Sequence, residues 1–350
     1  MAGQHDLSDA FLDSKRLVGD AEADQFIAAV FKDSTKKEAL QHWLKNATGN
    51  KEIDKLKEQF PGIDFIANAN QLPTWADRRQ MKAGAVFFSR HSESIMSLLG
   101  LLSLPYCYTA ANGAMVLYLS ERIRKETTKR LYETAVFVWE MMAPDGFQLE
   151  GNAFSEILKV RLMHAAVRFY TLQSGKWDEA WGLPINQEDM AGTNLSFSLI
   201  VVRGLRLLGF SVSQADQEAF LHLWNVVGYL MGLDQDLIAK EPRMAQALDR
   251  AISKRQFRTS SHGQELTRSL TGHIISVNKS KATEKDILGL MRYLLGTEVA
   301  DQLVISAPEL PPYKLRLLRM VNLMKSFLPQ GDPKRVYHTA YQAFRAQKPV

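Results

Sequence analysis

The chain has 350 residues, of which 46% are hydrophobic and 23% charged, with one cysteine and a formal net charge of +5. This length and composition suit one large or two ordinary globular domains, and they exclude collagen-like, disordered and disulfide-stabilised proteins. Because Cys107 is alone, zinc–thiolate and iron–sulfur sites built from several cysteines are also excluded.

The apolar residues recur at helical spacing along nearly the whole chain. Two helices are predicted within residues 20–46, the second capped by Ser34 or Thr35, and a buried helix pair within residues 77–104. Further helices are predicted, in chain order, at residues 109–122, 127–142, 154–173, 193–208, 213–232, 241–254, 283–305 and 313–327. Residues 260–278 are ambiguous. Strands do not alternate with helices and no repeat is visible, so the predicted fold class is all-α.

No composition change marks a sharp domain boundary. Residues 1–65 are more charged than the rest and are predicted to form an N-terminal helical appendage, followed by the principal domain at residues 66–328. The polar, proline-bearing residues 329–350 are predicted to be a C-terminal tail that lies loosely on the surface.

Charge and hydropathy predict a cytoplasmic protein. The first residues are too charged for a signal peptide, and the longest apolar stretch, residues 95–104, is about half as long as a membrane span requires. We therefore expect no integral membrane association. Basic residues mostly alternate with acidic ones, as in residues 51–58, so we also expect no nucleic-acid partner.

Among the eight histidines, His164 has the most informative surroundings. On a helix, His164 shares a face with Ile157, Val160 and Val167, so the imidazole is predicted to point into an apolar interior. The charges of Arg161 and Arg168 would favour the neutral imidazole, which is the form that binds metals, and could pair with the carboxylates of a cofactor. Two interpretations of His164 therefore remain open, a core histidine and a metal ligand. If it is a ligand, haem suits a single histidine better than zinc, because the porphyrin supplies four nitrogens.

Three other motifs have ordinary structural explanations. His91 is interpreted as a hydrogen-bonded core histidine rather than as a second residue beside a cofactor. The acids of residues 186–189 are interpreted as capping the helix that contains Thr193. Trp224 lies on an apolar helix and is expected in the core.

Seven motifs resemble those of the MpaB and rubber-oxygenase family, whose members are also called latex clearing protein-like. The first is KVRLMHAAVR at residues 159–168. The others are LPTWAD (72–77), FFSRH (87–91), LPYCY (104–108), RLYET (130–134), GLPINQEDM (182–190) and HLWNVVG (222–228). Their order matches the family, and the resemblance extends over residues 70–240.

The resemblance implies a single large helical bundle of the rubber-oxygenase type that encloses a haem b. It implies that His164 is the proximal ligand of the haem iron, that Arg130 and Thr134 line the oxygen side, and that O2 is the co-substrate. Arg161 or Arg168 would lie near the haem propionates. The protein would then be an oxygenase that cleaves or oxygenates a small, apolar, unsaturated compound such as an isoprenoid, with no redox partner indicated.

The chain departs from the latex clearing pattern at two places. Glu133 stands where those enzymes carry a lysine, and residues 111–115 lack the carboxylate that they use as a base. The alternative interpretation is therefore a non-catalytic haem-binding or helical interaction protein on the same scaffold.

Overall fold

A computed structural model describes residues 6–120, 126–327 and 331–348. Over these ranges the chain is helical, and its only β-type pairing is an isolated bridge between Ala110 and Phe257. The all-α prediction is confirmed. The helices are α1 (Asp9–Arg16), α2 (Ala21–Val30), α3 (Ser34–Asn46), α4 (Glu52–Gln59), α5 (Asp64–Ala67), α6 (Arg78–Leu98), α7 (Leu104–Thr109), α8 (Ala111–Leu119), α9 (Thr127–Met141), α10 (Ala153–Gln173), α11 (Gln187–Phe197), α12 (Leu199–Leu207), α13 (Gln214–Leu230), α14 (Pro242–Gln256), α15 (Ser261–Val277), α16 (Glu284–Leu295), α17 (Thr297–Gln302), α18 (Pro312–Ser326) and α19 (Pro333–Arg345).

The predicted helix pair over residues 77–104 is instead one continuous helical path. A π-helical segment, Leu99–Ser103, joins α6 to α7 without a break. Pro105, which follows the apolar stretch of residues 95–104, lies in the first turn of α7. A proline is tolerated there because its missing N–H would have no partner within the helix.

Two helix starts differ from the predictions. The N-cap of α3 is Asp33, whose carboxylate accepts hydrogen bonds from two backbone N–H groups of the first turn, and not Ser34 or Thr35. The ambiguous residues 260–278 form α15, and the Ser260 hydroxyl caps it.

The predicted helix over residues 193–208 consists of two helices. α11 begins at Gln187, because the side chain of Asn186 caps it, and the helical path is interrupted at Ser198 before α12. The earlier start brings the acidic motif at residues 186–189 into the first turn of α11.

α6 lies at the centre of the fold, where it packs along α13 and also contacts α12 and α19. The backbones of α6 and α13 approach closely at Gly84, where an added Cβ would lie 2.6 Å from the carbonyl oxygen of Ala219. One large hydrophobic cluster combines residues from before and after position 65, and a smaller cluster lies beneath α1, α11 and α14. α10 contacts α2, α9 and α13, which places it inside the helical assembly.

The C-terminal residues that were expected to lie loosely on the surface form a packed helix, α19. Tyr337 is 2% exposed and donates a hydrogen bond to the carbonyl oxygen of Trp139 at 2.7 Å. The hydroxyl of Tyr341 donates to Glu140 at 2.5 Å. Tyr337, Tyr341 and Phe344 follow one another at intervals of four and three residues, so they share one face of α19. They pack against α9 even though the segment is polar on average.

Within the described ranges, no helix is both long enough and apolar enough to cross a bilayer.

Candidate active site

His164 lies in the middle of α10, on the face predicted from its spacing. Leu162 and Ala165, on another face, are fully buried. Val160, His164 and Val167 each keep part of their accessible surface, although α10 is surrounded by other helices. This face of α10 therefore borders space that the neighbouring side chains do not fill.

The surroundings of His164 favour a neutral imidazole, and one of its nitrogens has no partner among the described residues. Its Nδ1 is buried and has no hydrogen-bond partner among the described residues. Burial, together with the charges of Arg168 and Arg130, lowers the pKa of His164 to about 4, and the charge of Asp20 opposes this shift. The predicted neutral form is thus supported, but the second charge is that of Arg130 and not that of Arg161. A neutral imidazole always has one nitrogen with a lone pair available to a metal.

Arg130 and Thr134 lie on α9, which contacts α10. The guanidinium of Arg130 donates to the Glu133 carboxylate at 2.7 Å, and the hydroxyl of Thr134 donates to the carbonyl oxygen of Arg130 at 3.0 Å. Every residue from 130 to 137 is partly exposed, on all faces of the helix. α9 is therefore loosely packed where it passes His164, and Glu133 offsets part of the Arg130 charge.

Arg161 and Arg168 are engaged by carboxylates of the N-terminal segment. Arg161 binds Asp20 through contacts of 2.6 and 2.9 Å and Glu22 through a contact of 2.9 Å. Arg168, which is 3% exposed, binds Asp24 at 2.7 Å and keeps a buried Nη2 with no partner in the described chain. The sequence-based expectation placed Arg161 or Arg168 beside cofactor carboxylates; of these two, only Arg168 has a buried donor without a partner among the described residues.

The prediction that the acids of residues 186–189 cap the helix is wrong: Asn186 is the N-cap of α11, and Glu188 and Asp189 lie in its first turn with other partners. The carboxylate of Glu188 is completely buried and accepts hydrogen bonds from Arg16 at 3.1 Å, Arg255 at 2.9 Å and Gln256 at 2.9 Å. Burial raises the pKa of Glu188, against the opposing effect of the two guanidiniums. Glu188 therefore joins α1, α11 and α14 at one buried point.

The carboxylate of Asp189, the residue after Glu188, lies beside residues 111–115, which contain no carboxylate of their own. A Cβ added to Gly113 of α8 would lie 3.1 Å from the Cγ of Asp189. Arg16 donates to Asp189 at 3.0 Å and Asn186 donates at 2.8 Å. Burial raises the pKa of Asp189, and Arg16 opposes that effect. The sequence could not reveal this neighbour of residues 111–115, because it comes from a different helix.

Two other motif histidines have structural surroundings. The ring of His91 lies 5.0 Å from that of Phe87 and 5.2 Å from that of Phe210, with no hydrogen bond to it among the described residues. His91 is half-buried between these rings rather than fully in the core, and the predicted hydrogen bond is absent among the described residues. His222 accepts a hydrogen bond at 2.9 Å from the backbone N–H of the residue that caps α6. Trp224 is 3% exposed, as expected for a core residue.

These features define an all-helical protein in which the buried Nδ1 of His164 has no partner among the described residues. The imidazole lies beside α9, whose residues 130–137 are loosely packed. In the described ranges, no group of three or more His, Cys, Asp and Glu side chains is arranged to hold a metal ion.

The catalytic-domain model of the family described as ER-bound oxygenase mpaB/B'/Rubber oxygenase matches residues 90–324. A rubber oxygenase of Streptomyces sp. (strain K30) is 29% identical over 291 residues, which cover 82% of this chain and 70% of that protein. The solved structure of latex clearing protein in the closed state matches with a TM-score of 0.75 and 26% identity, over 95% of this chain and 90% of that one. The chain belongs to the mpaB and rubber-oxygenase family and is an oxygenase.

Proposed function

We propose that the protein is a haem b-dependent oxygenase in which His164 is the protein ligand of the iron. The substrate would be O2 together with a small, apolar, unsaturated compound such as an isoprenoid. The observation that carries the proposal is the buried, unpartnered Nδ1 of His164 on a neutral ring. A buried polar atom without a partner is costly, so one that persists indicates a missing partner.

The residues around His164 fit a haem. Haem requires one imidazole from the chain, because the porphyrin supplies the other four nitrogens. The face of α10 that carries His164 and residues 130–137 of α9 are both partly exposed, which leaves accessible surface beside the imidazole for a bound group. When bound, haem would supply the iron that activates O2.

The side chains on α9 would set the polarity of the oxygen side. Arg130 holds a positive charge close enough to His164 to lower its pKa, and Glu133 pairs with that arginine. The hydroxyl of Thr134 gives its proton to the carbonyl oxygen of Arg130 and so presents its lone pairs to other groups. Rotation of that hydroxyl would allow it to donate instead.

The two arginines of α10 would have different roles. Arg168 has a buried Nη2 available for a propionate, in addition to its bond to Asp24. Arg161 would act indirectly, because Asp20 and Glu22 already bind its guanidinium and so hold α2 against the helix that carries His164.

The first experiment is the absorption spectrum of protein purified from haem-replete cells. We expect a Soret band that is lost in His164→Gly and restored when free imidazole is added to that variant. His91→Gln is the matched control, because burial also lowers the pKa of His91, and it should keep the band. A colourless protein, or a band that survives in His164→Gly without imidazole, would contradict the proposal.

The second experiment measures O2 consumption and product formation with a panel of carotenoids and prenyl compounds. Conversion that depends on both O2 and His164 would support the oxygenase role. A haem-loaded protein that converts none of them would favour the non-catalytic haem-binding alternative, in line with Glu133 and with the absence of a carboxylate at residues 111–115.

A further inference from the structure

α18 exposes an unusual amount of apolar surface. Seven of the fourteen large hydrophobic side chains that are exposed in the described chain lie on this helix or on its C-cap residue. They include Tyr313 at 68%, Met324 at 64% and Phe327 at 76% exposure. An exposed apolar surface this concentrated is typical of an interaction site.

The exposed residues form one continuous stripe along α18. Tyr313, Leu317, Met320, Met324 and Phe327 follow one another at intervals of four, three, four and three residues, which places them on one helix face. This set is called the α18 stripe below. On the opposite side, Asn322 is buried and donates to the carbonyl oxygen of Leu208 at 2.9 Å, which attaches α18 to the fold. The helix is therefore already packed on one face while the stripe faces outward.

Only basic charges accompany the α18 stripe. The helix contains Lys314, Arg316, Arg319 and Lys325 and no acidic residue. At 100° per residue, the two lysines lie on one side of the stripe and the two arginines on the other. Lys314 pairs with Asp286, whereas the remaining three are exposed and have no carboxylate within ion-pair distance in the described chain.

This arrangement matches an anionic lipid surface. A helix that lies in a bilayer interface buries an apolar stripe among the acyl chains while flanking lysines and arginines reach the headgroups. A second copy of the chain fits less well, because pairing two α18 stripes would bring unpaired cations together with no acid on either helix. We propose that α18 binds the protein peripherally to anionic membranes. The proposal does not depend on haem or on the oxygenase reaction.

The test is flotation of the full-length protein with vesicles. We expect binding to phosphatidylcholine vesicles that contain phosphatidylserine at about a third of the lipid, weaker binding to pure phosphatidylcholine, and loss of binding at high salt. Leu317→Gln combined with Met324→Gln should weaken binding at least about tenfold. Leu149→Gln combined with Leu172→Gln removes equally exposed residues elsewhere and should leave binding unchanged.

Charge variants test whether the basic residues of α18 contribute to membrane binding. Replacing Arg316, Arg319 or Lys325 by Gln should each weaken binding to the anionic vesicles about fivefold, without affecting the Soret band or the circular dichroism spectrum. Failure to bind either type of vesicle, or equal binding to both, would overturn the proposal. A dimer that forms in solution and is abolished by the Leu317 and Met324 changes, without vesicle binding, would overturn it in favour of a second copy.

Discussion

The buried carboxylate of Glu188 gives the sharpest test of how the fold is held around α11. Replacing Glu188 with Gln keeps the size of the side chain and removes its charge. In the wild type, Arg16, Arg255 and Gln256 donate to the two carboxylate oxygens from distances of 2.9 to 3.1 Å. In Glu188→Gln, one oxygen becomes an NH2 group that faces donors, so at least one guanidinium loses its acceptor.

The expected loss of unfolding free energy follows from the burial of Glu188 and its partners. Glu188 has no exposed surface, and the side chains of Arg16 and Arg255 are only 8% and 13% exposed. Removing one partner of a buried ion pair costs about 3–5 kcal/mol, because the remaining charge stays out of water. The amide keeps one acceptor, Arg16 keeps its bond to Asp189, and Arg255 keeps those to Asp9 and Asp13. We therefore expect the lower end, about 3 kcal/mol of unfolding free energy.

The measurement is denaturant unfolding followed by circular dichroism, with Glu150→Gln as the matched control. Glu150 pairs with Lys51 at 2.6 Å, but the side chains are 74% and 56% exposed. That change should cost less than about 1 kcal/mol. If Glu188→Gln cost no more than Glu150→Gln, the three hydrogen bonds to Glu188 would not be the stabilising contact described above.

Three further predictions concern separate parts of the fold. Gly84→Ala should destabilise the protein by about 2 kcal/mol, because the added Cβ would lie 2.6 Å from the carbonyl oxygen of Ala219. The control Gly272→Ala, whose added Cβ would have no atom within 4 Å, should stabilise it by up to about 1 kcal/mol. Equal shifts in the melting temperature of the two variants would refute this. Asn50→Ala removes two hydrogen bonds to backbone carbonyls between α9 and α10 and one from a backbone N–H near the start of α10. It should lower the unfolding free energy by about 2–3 kcal/mol and speed proteolysis of the segment between α9 and α10. An unchanged rate of cleavage there would count against this prediction. The folded pKa of His164, about 4, lies below its ordinary value of 6.5, so protonation of the unfolded chain favours unfolding between these pH values. As pH falls from 6.5 to 4, the unfolding free energy of the haem-free protein should therefore decrease by up to about 3 kcal/mol more than that of His164→Gln. Parallel stability curves for the two proteins would mean that the imidazole is solvated.

Local patterns predicted the helices and the orientation of His164 well. The face shared by Val160, His164 and Val167 depends only on helical spacing, and the structure retains it. The core location of Trp224 follows from the apolar residues around it in the same way. Such features are predictable because their causes lie within a few residues of each other along the chain.

Partners that are distant in sequence could not be predicted. Glu188 binds Arg16 across 172 positions and Arg255 across 67, so its motif resembled an ordinary helix cap. Arg161 binds Asp20 across 141 positions, and without that information a cofactor carboxylate was the natural partner to infer. A buried charge is defined by what surrounds it in space, and hydrophobic periodicity carries no information about that.

The pairing between α2 and α10 also constrains the order in which the molecule is completed. During synthesis Asp20 and Asp24 leave the ribosome about 140 residues before Arg161 and Arg168, so the acids remain hydrated until the arginines arrive. Contacts of such long range require a large loop to close first, which slows folding. The helix that bears His164 therefore reaches its final position only when the beginning of the chain returns to it. A nascent chain that ends before α10 lacks His164 altogether, and a chain that lacks α2 lacks the carboxylates that hold α10 in place.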